Sequence, residues 1–221
     1  MITAFLLAVQ FLTVVPLKIK DAGEERMAAS LVYFPLVGLL IGLSLAQVNN
    51  LLFFLNFNAF AISIITVVAL IIITGGLHLD GLCDTADAFL SGKPKEEMLN
   101  IMRDPHAGVM GILSLISIIL LKIAFLSSIN IPLRPSALVL MCVLSRWSAV
   151  WLMFFFPYAR REGKARVFIQ GMNLKIFIFS LTAAIIFVFA IWRVKGLLAL
   201  LIIAACTYLS GKIISRKIGG I

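Results

Sequence analysis

The chain is organised around the stretch TGGLHLDGLCDTAD at positions 74–87, which directly follows a nearly uninterrupted apolar run at 59–73. This stretch contains three of the ten acidic residues in a protein of 221 residues. If the segment after Asp80 is helical, Asp80, Asp84 and Asp87 lie at positions i, i+4 and i+7, within about 60° of one another on one face. The spacing therefore predicts a cluster of three carboxylates where an apolar segment ends.

Three carboxylates at such short spacing repel one another, so they would either take up protons or bind a cation. Aspartate oxygens are hard ligands that suit Mg²⁺ or Mn²⁺, usually together with substrate phosphates and water. The alternative is a solvated polar face on a helix beside the membrane. Aspartate has poor helix propensity, and a merely solvated face more often contains Lys and Glu. We therefore predict a Mg²⁺ site, with Mn²⁺ as a substitute, at Asp80, Asp84 and Asp87.

The composition excludes a soluble globular domain. Hydrophobic residues make up 62% of the chain and charged residues only 13%, which predicts an all-α, polytopic membrane bundle forming one domain over residues 1–221. The net charge of +9 does not indicate a nucleic-acid partner, because the basic residues lie in short loops between apolar segments. Such loops are typical of the cytoplasmic side under the positive-inside rule.

A membrane span needs about 20 apolar residues, and the pattern predicts six to seven spans. They cover approximately 28–46, 52–73, 109–129, 136–156, 174–192 and 197–214, with 2–17 as a shorter, tilted or interfacial segment. Gly75 and Gly76 should break or redirect the helix between the span at 52–73 and the aspartates. Alternating the spans places the most basic loops on one side, so the motif at 74–87 is predicted to face the cytoplasm.

Several other residues are candidates for a site. Arg146 lies inside the predicted span at 136–156, where a charge costs a few kcal/mol unless it is paired or hydrated. It could pair with the aspartates or with a substrate phosphate, or its hydrogen bonds could go to carbonyl groups of the bundle. Arg103, Asp104 and the basic loop that begins at Arg160 suggest metal-assisted transfer at a phosphoryl group. For His78, the roles of general base, metal ligand, phosphate donor and structural histidine all remain open.

The stretch at 75–87 closely resembles the signature G-G-L-H-x-D-G-L-x-D-T-x-D of the cobalamin synthase family. The resemblance extends over essentially the whole chain, although the aspartate motif is its most specific part. The other matching segments are Gln10-Phe11-Leu12-Thr13, Tyr33-Phe34-Pro35-Leu36-Val37-Gly38, Ile101-Met102-Arg103-Asp104 with Gly108, Ser145-Arg146-Trp147 and Tyr158-Ala159-Arg160.

This resemblance implies a multi-pass enzyme of the prokaryotic cytoplasmic membrane that completes the nucleotide loop of cobalamin. It would transfer the cobinamide phosphate from adenosylcobinamide-GDP to α-ribazole or α-ribazole 5′-phosphate, with Mg²⁺, and release GMP. The partners implied are these substrates and the lipid bilayer, and a homo-oligomer is one option. The resemblance assigns catalytic roles to His78, Asp80, Asp84, Asp87 and Asp104, and substrate binding to Gly75, Gly76, Arg103, Arg146 and Arg160.

The sequence departs from the family pattern in two places. Pro105-His106 replaces the usual Ser-Arg, and Met110 stands where an aromatic residue is common, which affects the phosphate contacts expected there. Family members also continue past the final Gly-Gly with a T-G-D segment and another apolar stretch, which we expect residues 1–221 to lack.

Three other functions compete with this interpretation. An intramembrane prenyltransferase would share the D-x-x-x-D spacing of Asp80 and Asp84, but no Asp follows Asp104. The D-G-x-x-A-R pattern of CDP-alcohol phosphotransferases fails because Cys83-Asp84 follows Leu82. A cation or metabolite transporter would hold its ion near the membrane midplane within a broken helix, whereas this cluster precedes a predicted cytoplasmic loop. The transferase is therefore preferred.

Overall fold

The computed structural model describes residues 1–19, 23–160, 163 and 165–221, and all regular secondary structure in that part of the chain is helical. The all-α prediction is confirmed. The helices are α1 (Ile2–Leu12), α2 (Glu24–Ser30), α3 (Phe34–Phe54), α4 (Ala59–Thr74), α5 (Leu77–Leu90), α6 (Lys95–Ile101), α7 (Val109–Ser128), α8 (Arg134–Phe155), α9 (Arg166–Gln170) and α10 (Leu174–Ile218).

The described helices confirm a polytopic membrane protein. Four are long and apolar enough to cross a bilayer, namely Glu24–Phe54, Val109–Ser128, Ile131–Phe155 and Leu174–Ile218, and the bent pair of α4 and α5 would make a fifth. The predicted segment at 2–17 forms only the 11-residue α1, which is too short to span. The two predicted spans at 174–192 and 197–214 both lie within α10, which is counted here as one helix.

Helix α10 is interrupted in its middle. Trp192 has φ −129° and ψ 17°, and Arg193 has φ 51° and ψ −131°, neither of which is helical. A Cβ placed on Gly196 would collide with the backbone of Val188, although residues eight apart in a continuous helix are separated by about 12 Å. The chain therefore reverses here, and the segments 174–191 and 194–218 pack against each other. Each is long enough to span a bilayer.

The chain forms two compact units: Met1–Gln47 with Pro135–Ile221, and Val48–Arg134. The first unit has an apolar core around Val143, Trp147 and Val188, all at most 1% exposed. The aspartate motif belongs to the second unit. The interpretation of residues 1–221 as a single membrane domain stays a prediction.

Glycines bring α3 and α8 into close contact within the first unit. A Cβ on Gly38 would lie 2.5 Å from the Cys142 carbonyl oxygen, and one on Gly42 would lie 2.6 Å from the Cα of Val139. Lipid tails are as apolar as the side chains, so helix association in a membrane depends on close packing, and small residues four apart permit it. These two glycines therefore let the backbones of α3 and α8 approach each other closely.

Arg134 holds together two helix ends in the second unit. Its side chain is 1% exposed and donates hydrogen bonds to the carbonyl oxygens of Ile129 (2.9 Å), Ala59 (3.1 Å) and Ser127 (2.8 Å). Ser127 lies at the end of α7 and Ala59 begins α4, so one guanidinium joins these ends. Its charge is bound inside the protein and says little about which side of the membrane its loop faces.

Replacing Gly38 by Ala should reduce the free energy of unfolding by ~1–3 kcal/mol, because the added methyl group meets backbone atoms of α8 that have no free space to move into. Chemical unfolding in detergent would measure the change. The matched control is Gly81→Ala, since a Cβ on Gly81 meets nothing within 4 Å and alanine stabilises a helix by ~0.5–1 kcal/mol over glycine. Equal effects of the two substitutions would contradict the close packing of α3 on α8.

Candidate functional site

The site begins where the chain turns between α4 and α5. Gly75 ends α4 with φ 60°, and Gly76 begins α5 with φ 71°, both in the left-handed region that favours glycine. The Gly76 N–H donates to the Ile71 carbonyl oxygen (3.1 Å) and the Gly75 N–H to that of Ile72 (3.2 Å), which is a Schellman motif. The two helix axes meet at 91°. The redirection predicted from the glycine pair is confirmed.

The aspartates all lie on α5, which runs from Leu77 to Leu90. The helix therefore places Asp80, Asp84 and Asp87 on one face, as their spacing predicted. Asp80 is the first of them and lies in the first turn of the helix. Asp80 is exposed, whereas Asp84 and Asp87 are half-buried, so the face leads from open solvent toward the packed interior.

Asp87 makes specific contacts with the start of α7. Its Oδ2 accepts a hydrogen bond from the Gly108 N–H at 2.7 Å, and its Oδ1 accepts one from the Gly111 N–H at 2.8 Å. The thiol of Cys83 lies one turn away, with Sγ 3.9 Å from the Asp87 Oδ2. Both oxygens of this carboxylate are therefore engaged by backbone amides of another helix.

The structure does not bring the three aspartates together as a metal-binding group. Among the described residues, no three His, Cys, Asp or Glu side chains form a group that could hold a metal ion. The reason is that Asp87 faces α7. Asp80 and Asp84, one turn apart, fit Mg²⁺, because this ion usually binds one or two carboxylates and completes its shell with water and substrate phosphates. The three-ligand site stays a prediction.

His78 lies in the first turn of α5 and is exposed. The helix is regular there, so a two-residue separation from Asp80 corresponds to about 200° around the axis. The two side chains therefore leave opposite sides of the helix. The catalytic role assigned to His78 stays a prediction.

The segment between α5 and α7 contains the short helix α6. Helix α6 follows Pro94 and has Glu96 and Glu97 in its first turn, a composition that favours a helix N-terminus. Arg103 and Asp104, both exposed, follow α6 and precede the start of α7.

Asp104 closes a tight turn with His106. The Asp104 Oδ1 accepts a hydrogen bond from the His106 backbone N–H at 2.9 Å, and the ring Nδ1 of His106 lies 2.7 Å from the same oxygen. The backbone hydrogen bond first, and the ring contact second, hold the pKa of the Asp104 carboxyl below its ordinary value. The Pro-His departure from the family pattern therefore supplies a partner for the neighbouring aspartate.

Arg146 is buried in the first unit, where its side chain is 5% exposed. Its Nη1 donates to the Ser145 hydroxyl at 2.8 Å, and its Nε has no hydrogen-bond partner among the described residues. The indole N–H groups of Trp147 and Trp151 and the Ser180 hydroxyl are also buried without a partner there. The described part of the first unit thus contains several buried donors that a ligand oxygen could satisfy.

Arg160 is half-buried at the end of a segment that pairs with the final residues of the chain. The Ala159 N–H donates to the Ile221 carbonyl oxygen at 3.0 Å, and the Ile221 N–H to that of Pro157 at 2.9 Å. A Cβ on Gly220 would collide with the Pro157 carbonyl oxygen. The basic loop that follows also includes Arg161, Glu162 and Lys164, which lie outside the described residues.

Sequence reasoning missed one functional feature, the contact of Gly108 and Gly111 with Asp87. A Cβ on either glycine would collide with the Asp87 carboxylate. The available signal was a pair of glycines at the start of an apolar helix. One of them, Gly108, occupies the N-cap, where Ser, Thr, Asn or Asp usually supplies a capping side chain. The sequence gives no indication of which residue supplies the missing cap.

Comparisons with known proteins agree with the motif. The family model described as cobalamin-5-phosphate synthase matches residues 4–221. Proteins named adenosylcobinamide-GDP ribazoletransferase from Desulforamulus reducens, Roseiflexus sp. and Caldanaerobacter subterraneus are 34%, 37% and 35% identical to this chain. The alignments cover 100%, 97% and 98% of this chain and 88%, 80% and 88% of the respective relatives. No solved structure matches significantly.

The lowered pKa of Asp104 leads to a pH-dependent turn. A carboxyl whose pKa is lower in the folded than in the unfolded state stabilises the fold above its ordinary pKa, and this contribution is lost as the pH falls through the folded-state pKa. The turn at 104–106 should therefore persist at neutral pH and open only below the ordinary aspartate range. Carboxyl ¹³C NMR in detergent, assigned with Asp104→Asn, would follow it.

The control variant is His106→Ala, which removes the ring contact but keeps the backbone N–H. It should move the Asp104 pKa only part of the way back upward. Titration of Asp104 at or above the ordinary aspartate value in the unmodified protein would contradict the turn.

Proposed function

The chain belongs to the cobalamin-5-phosphate synthase family, and we propose that it is a transferase acting on adenosylcobinamide-GDP and α-ribazole or α-ribazole 5′-phosphate. The proposal depends most on one observation: the family's aspartate motif lies on one face of α5, immediately after a 91° bend in an apolar helix pair. The names of the relatives aligned over the whole chain support the same activity.

The proposed reaction is the displacement of GMP from a diphosphate. A hydroxyl oxygen of the α-ribazole ribose forms a bond to the phosphorus that bears cobinamide. The bond between this phosphorus and the bridging oxygen breaks, so that oxygen leaves on GMP with the electron pair, and the hydroxyl proton is released. Negative charge develops on the bridging oxygen and is spread over the transferred phosphoryl group. The protein must therefore bind and orient a polyanion.

We propose that Asp80 and Asp84 hold the Mg²⁺ that such a diphosphate would bring with it. The two carboxylates are one turn apart, Asp80 exposed and Asp84 half-buried, which leaves room for phosphate and water in the remaining positions. A divalent ion at this place would neutralise charge on the phosphates and align the diphosphate for in-line attack. Mn²⁺ has the same preference for oxygen ligands.

The arginines are proposed to bind the phosphates. Arg103 is exposed in the same unit as the aspartates, and Arg146 has a buried Nε that lacks a protein partner in the described structure. A guanidinium matches phosphate oxygens in geometry as well as charge. Arg160, Asp104 and His78 complete the proposed set, with Gly75 and Gly76 providing backbone that a ligand can approach closely.

The proposed location is the prokaryotic cytoplasmic membrane, with the motif on the cytoplasmic side. The apolar helices show that the chain is a membrane protein. The orientation is supported by the concentration of Lys and Arg in the segments at 18–26, 91–106, 158–173 and 212–217. This orientation would expose α5 to the compartment that contains nucleotides and Mg²⁺.

One structural feature is also typical of transporters. Broken helices with acidic residues near the break often form ion sites in them, and the bend between α4 and α5 is such a break. A transporter, however, does not account for a family match over residues 4–221 or for relatives named as transferases. Flux of Mg²⁺ into sealed vesicles that contain the protein would support it, and the transferase proposal predicts none.

Membranes containing the protein should release GMP from adenosylcobinamide-GDP only when α-ribazole or α-ribazole 5′-phosphate is added. The two acceptors are assayed in separate reactions, and the cobalamin product is identified by mass spectrometry. Chelation of divalent metal should stop the reaction, and Mg²⁺ should restore it. Absence of acceptor-dependent GMP in the presence of Mg²⁺ would reject the proposed function.

Asp84→Asn should lower the transfer rate by at least about 100-fold, because loss of even an outer-sphere partner of a metal commonly costs 10–100-fold. The matched control is Glu97→Gln, which also removes one carboxylate but at an exposed position paired with Lys93 at 3.3 Å. The control should keep its activity. Full activity in Asp84→Asn would show that this carboxylate does not bind the metal.

A further inference from the structure

We propose that Asp87 is a positioning residue that fixes the start of α7 against α5, and that it is not a metal ligand. This inference rests on the proposed function for the roles of Asp80 and Asp84, but the anchor itself is a property of the fold. It assigns different tasks to carboxylates that the sequence motif presents as equivalent.

The anchor satisfies backbone groups that the helix itself cannot. The first four N–H groups of a helix have no partner within it, and Gly108, at the N-cap of α7, has no side chain to supply one. Asp87 accepts hydrogen bonds from the Gly108 and Gly111 N–H groups at 2.7 and 2.8 Å, from 21 and 24 residues away in sequence. A carboxylate from another helix thus takes the place of the cap.

The two glycines make this approach possible. A Cβ on Gly108 would collide with the carboxylate of Asp87, and one on Gly111 would collide with both Asp87 and the thiol of Cys83. The contact therefore needs a carboxylate at one position and the absence of a side chain at two others. The close packing and the hydrogen bonds both identify Asp87 as the partner of Gly108 and Gly111.

Electrostatics disfavour a cation at the same carboxylate. The N-terminus of a helix has a partial positive charge of about half a unit, which attracts a carboxylate and repels a metal ion. A divalent ion on Asp87 would lie beside that positive end and would compete with two short N–H hydrogen bonds. The cation is therefore assigned to Asp84 and Asp80, which lie about one and two turns closer to the glycine bend.

The anchor has a consequence for the proposed substrate site. Arg103 and Asp104 lie four to five residues before Gly108, so the anchor fixes the end of the segment that contains them. Moving the start of α7 would move this segment relative to α5. Asp87 would thus act on the reaction through the placement of Arg103 and Asp104.

The kinetic test compares the full-length protein with Asp87→Asn and Gly108→Ala in membranes. Asparagine can still accept one of the two hydrogen bonds, but it presents an NH₂ group to the other amide. The methyl group added by Gly108→Ala would displace the carboxylate without changing its charge. Both variants should lose about tenfold or more in kcat, with the Mg²⁺ concentration at half-maximal rate unchanged within twofold. A tenfold or larger rise in that concentration for Asp87→Asn alone would overturn the proposal.

A second measurement does not depend on activity. Hydrogen exchange of the purified protein in detergent should show slow exchange of the backbone amides at 108–111, although the first amides of a helix have no partner within it. Asp87→Asn should accelerate this exchange at least tenfold. The start of α4, where the Asn58 side chain accepts from the Ala61 N–H at 2.9 Å, is an internal control and should not change.

Equal exchange at 108–111 in both proteins would reject the anchor, whatever the activity. Faster exchange in Asp87→Asn, together with an unmodified protein that makes no cobalamin, would keep the anchor and reject the proposed function. The double variant Asp87→Ala/Gly108→Ala adds a further check, because the methyl group then meets no carboxylate. It should exchange no faster than Asp87→Ala alone, and additive acceleration would contradict the contact.

Discussion

The structure depends on the satisfaction of backbone groups where helices end in or beside an apolar medium. A membrane interior offers no water to unpaired N–H and C=O groups, so every helix end needs a partner in the protein. The second unit meets this requirement in three ways. The Gly75 and Gly76 amides donate back to the last turn of α4, Arg134 donates to carbonyl groups at the end of α7, and Asp87 accepts from amides at the start of α7. These end contacts fix α4, α5 and α7, and hence the orientation of the aspartate face.

The features that depend on neighbouring residues could be predicted from the sequence. A run of aspartates at i, i+4 and i+7 identifies one helix face, and a glycine pair after an apolar run identifies a break, because both follow from local backbone geometry. The partner of Asp87 could not be predicted, since it depends on how α5 packs against a helix whose N-cap lies 21 residues later. The same limit explains why three carboxylates on one face were expected to share one metal. Helical spacing gives the direction of a side chain, but not the group that it meets.

The number of spans illustrates another limit. Hydropathy separated the two apolar segments of α10, but it did not show that the segment at 2–17 is too short to span. Residues 2–17 became an 11-residue helix, whereas 174–218 contains a reversal at Trp192 and Arg193 that local helicity partly conceals. Arg193 and Lys195 lie at this reversal, where two charges between apolar segments favour a turn at the membrane surface. The charge of Arg134, by contrast, is bound by carbonyl groups inside the protein, so it does not indicate which side of the membrane its segment faces.

The two buried arginines show how burial alone fails to distinguish structure from function. Arg134 and Arg146 are 1% and 5% exposed, and a charge in such a place must be compensated. All three Arg134 nitrogens donate to carbonyl oxygens, so each of them has an acceptor within the fold. Arg146 has a hydroxyl partner for Nη1 and no described partner for Nε, which leaves a desolvation cost of about 1–3 kcal/mol. A phosphate oxygen would remove that cost, which is why Arg146 and not Arg134 belongs to the proposed phosphate-binding residues.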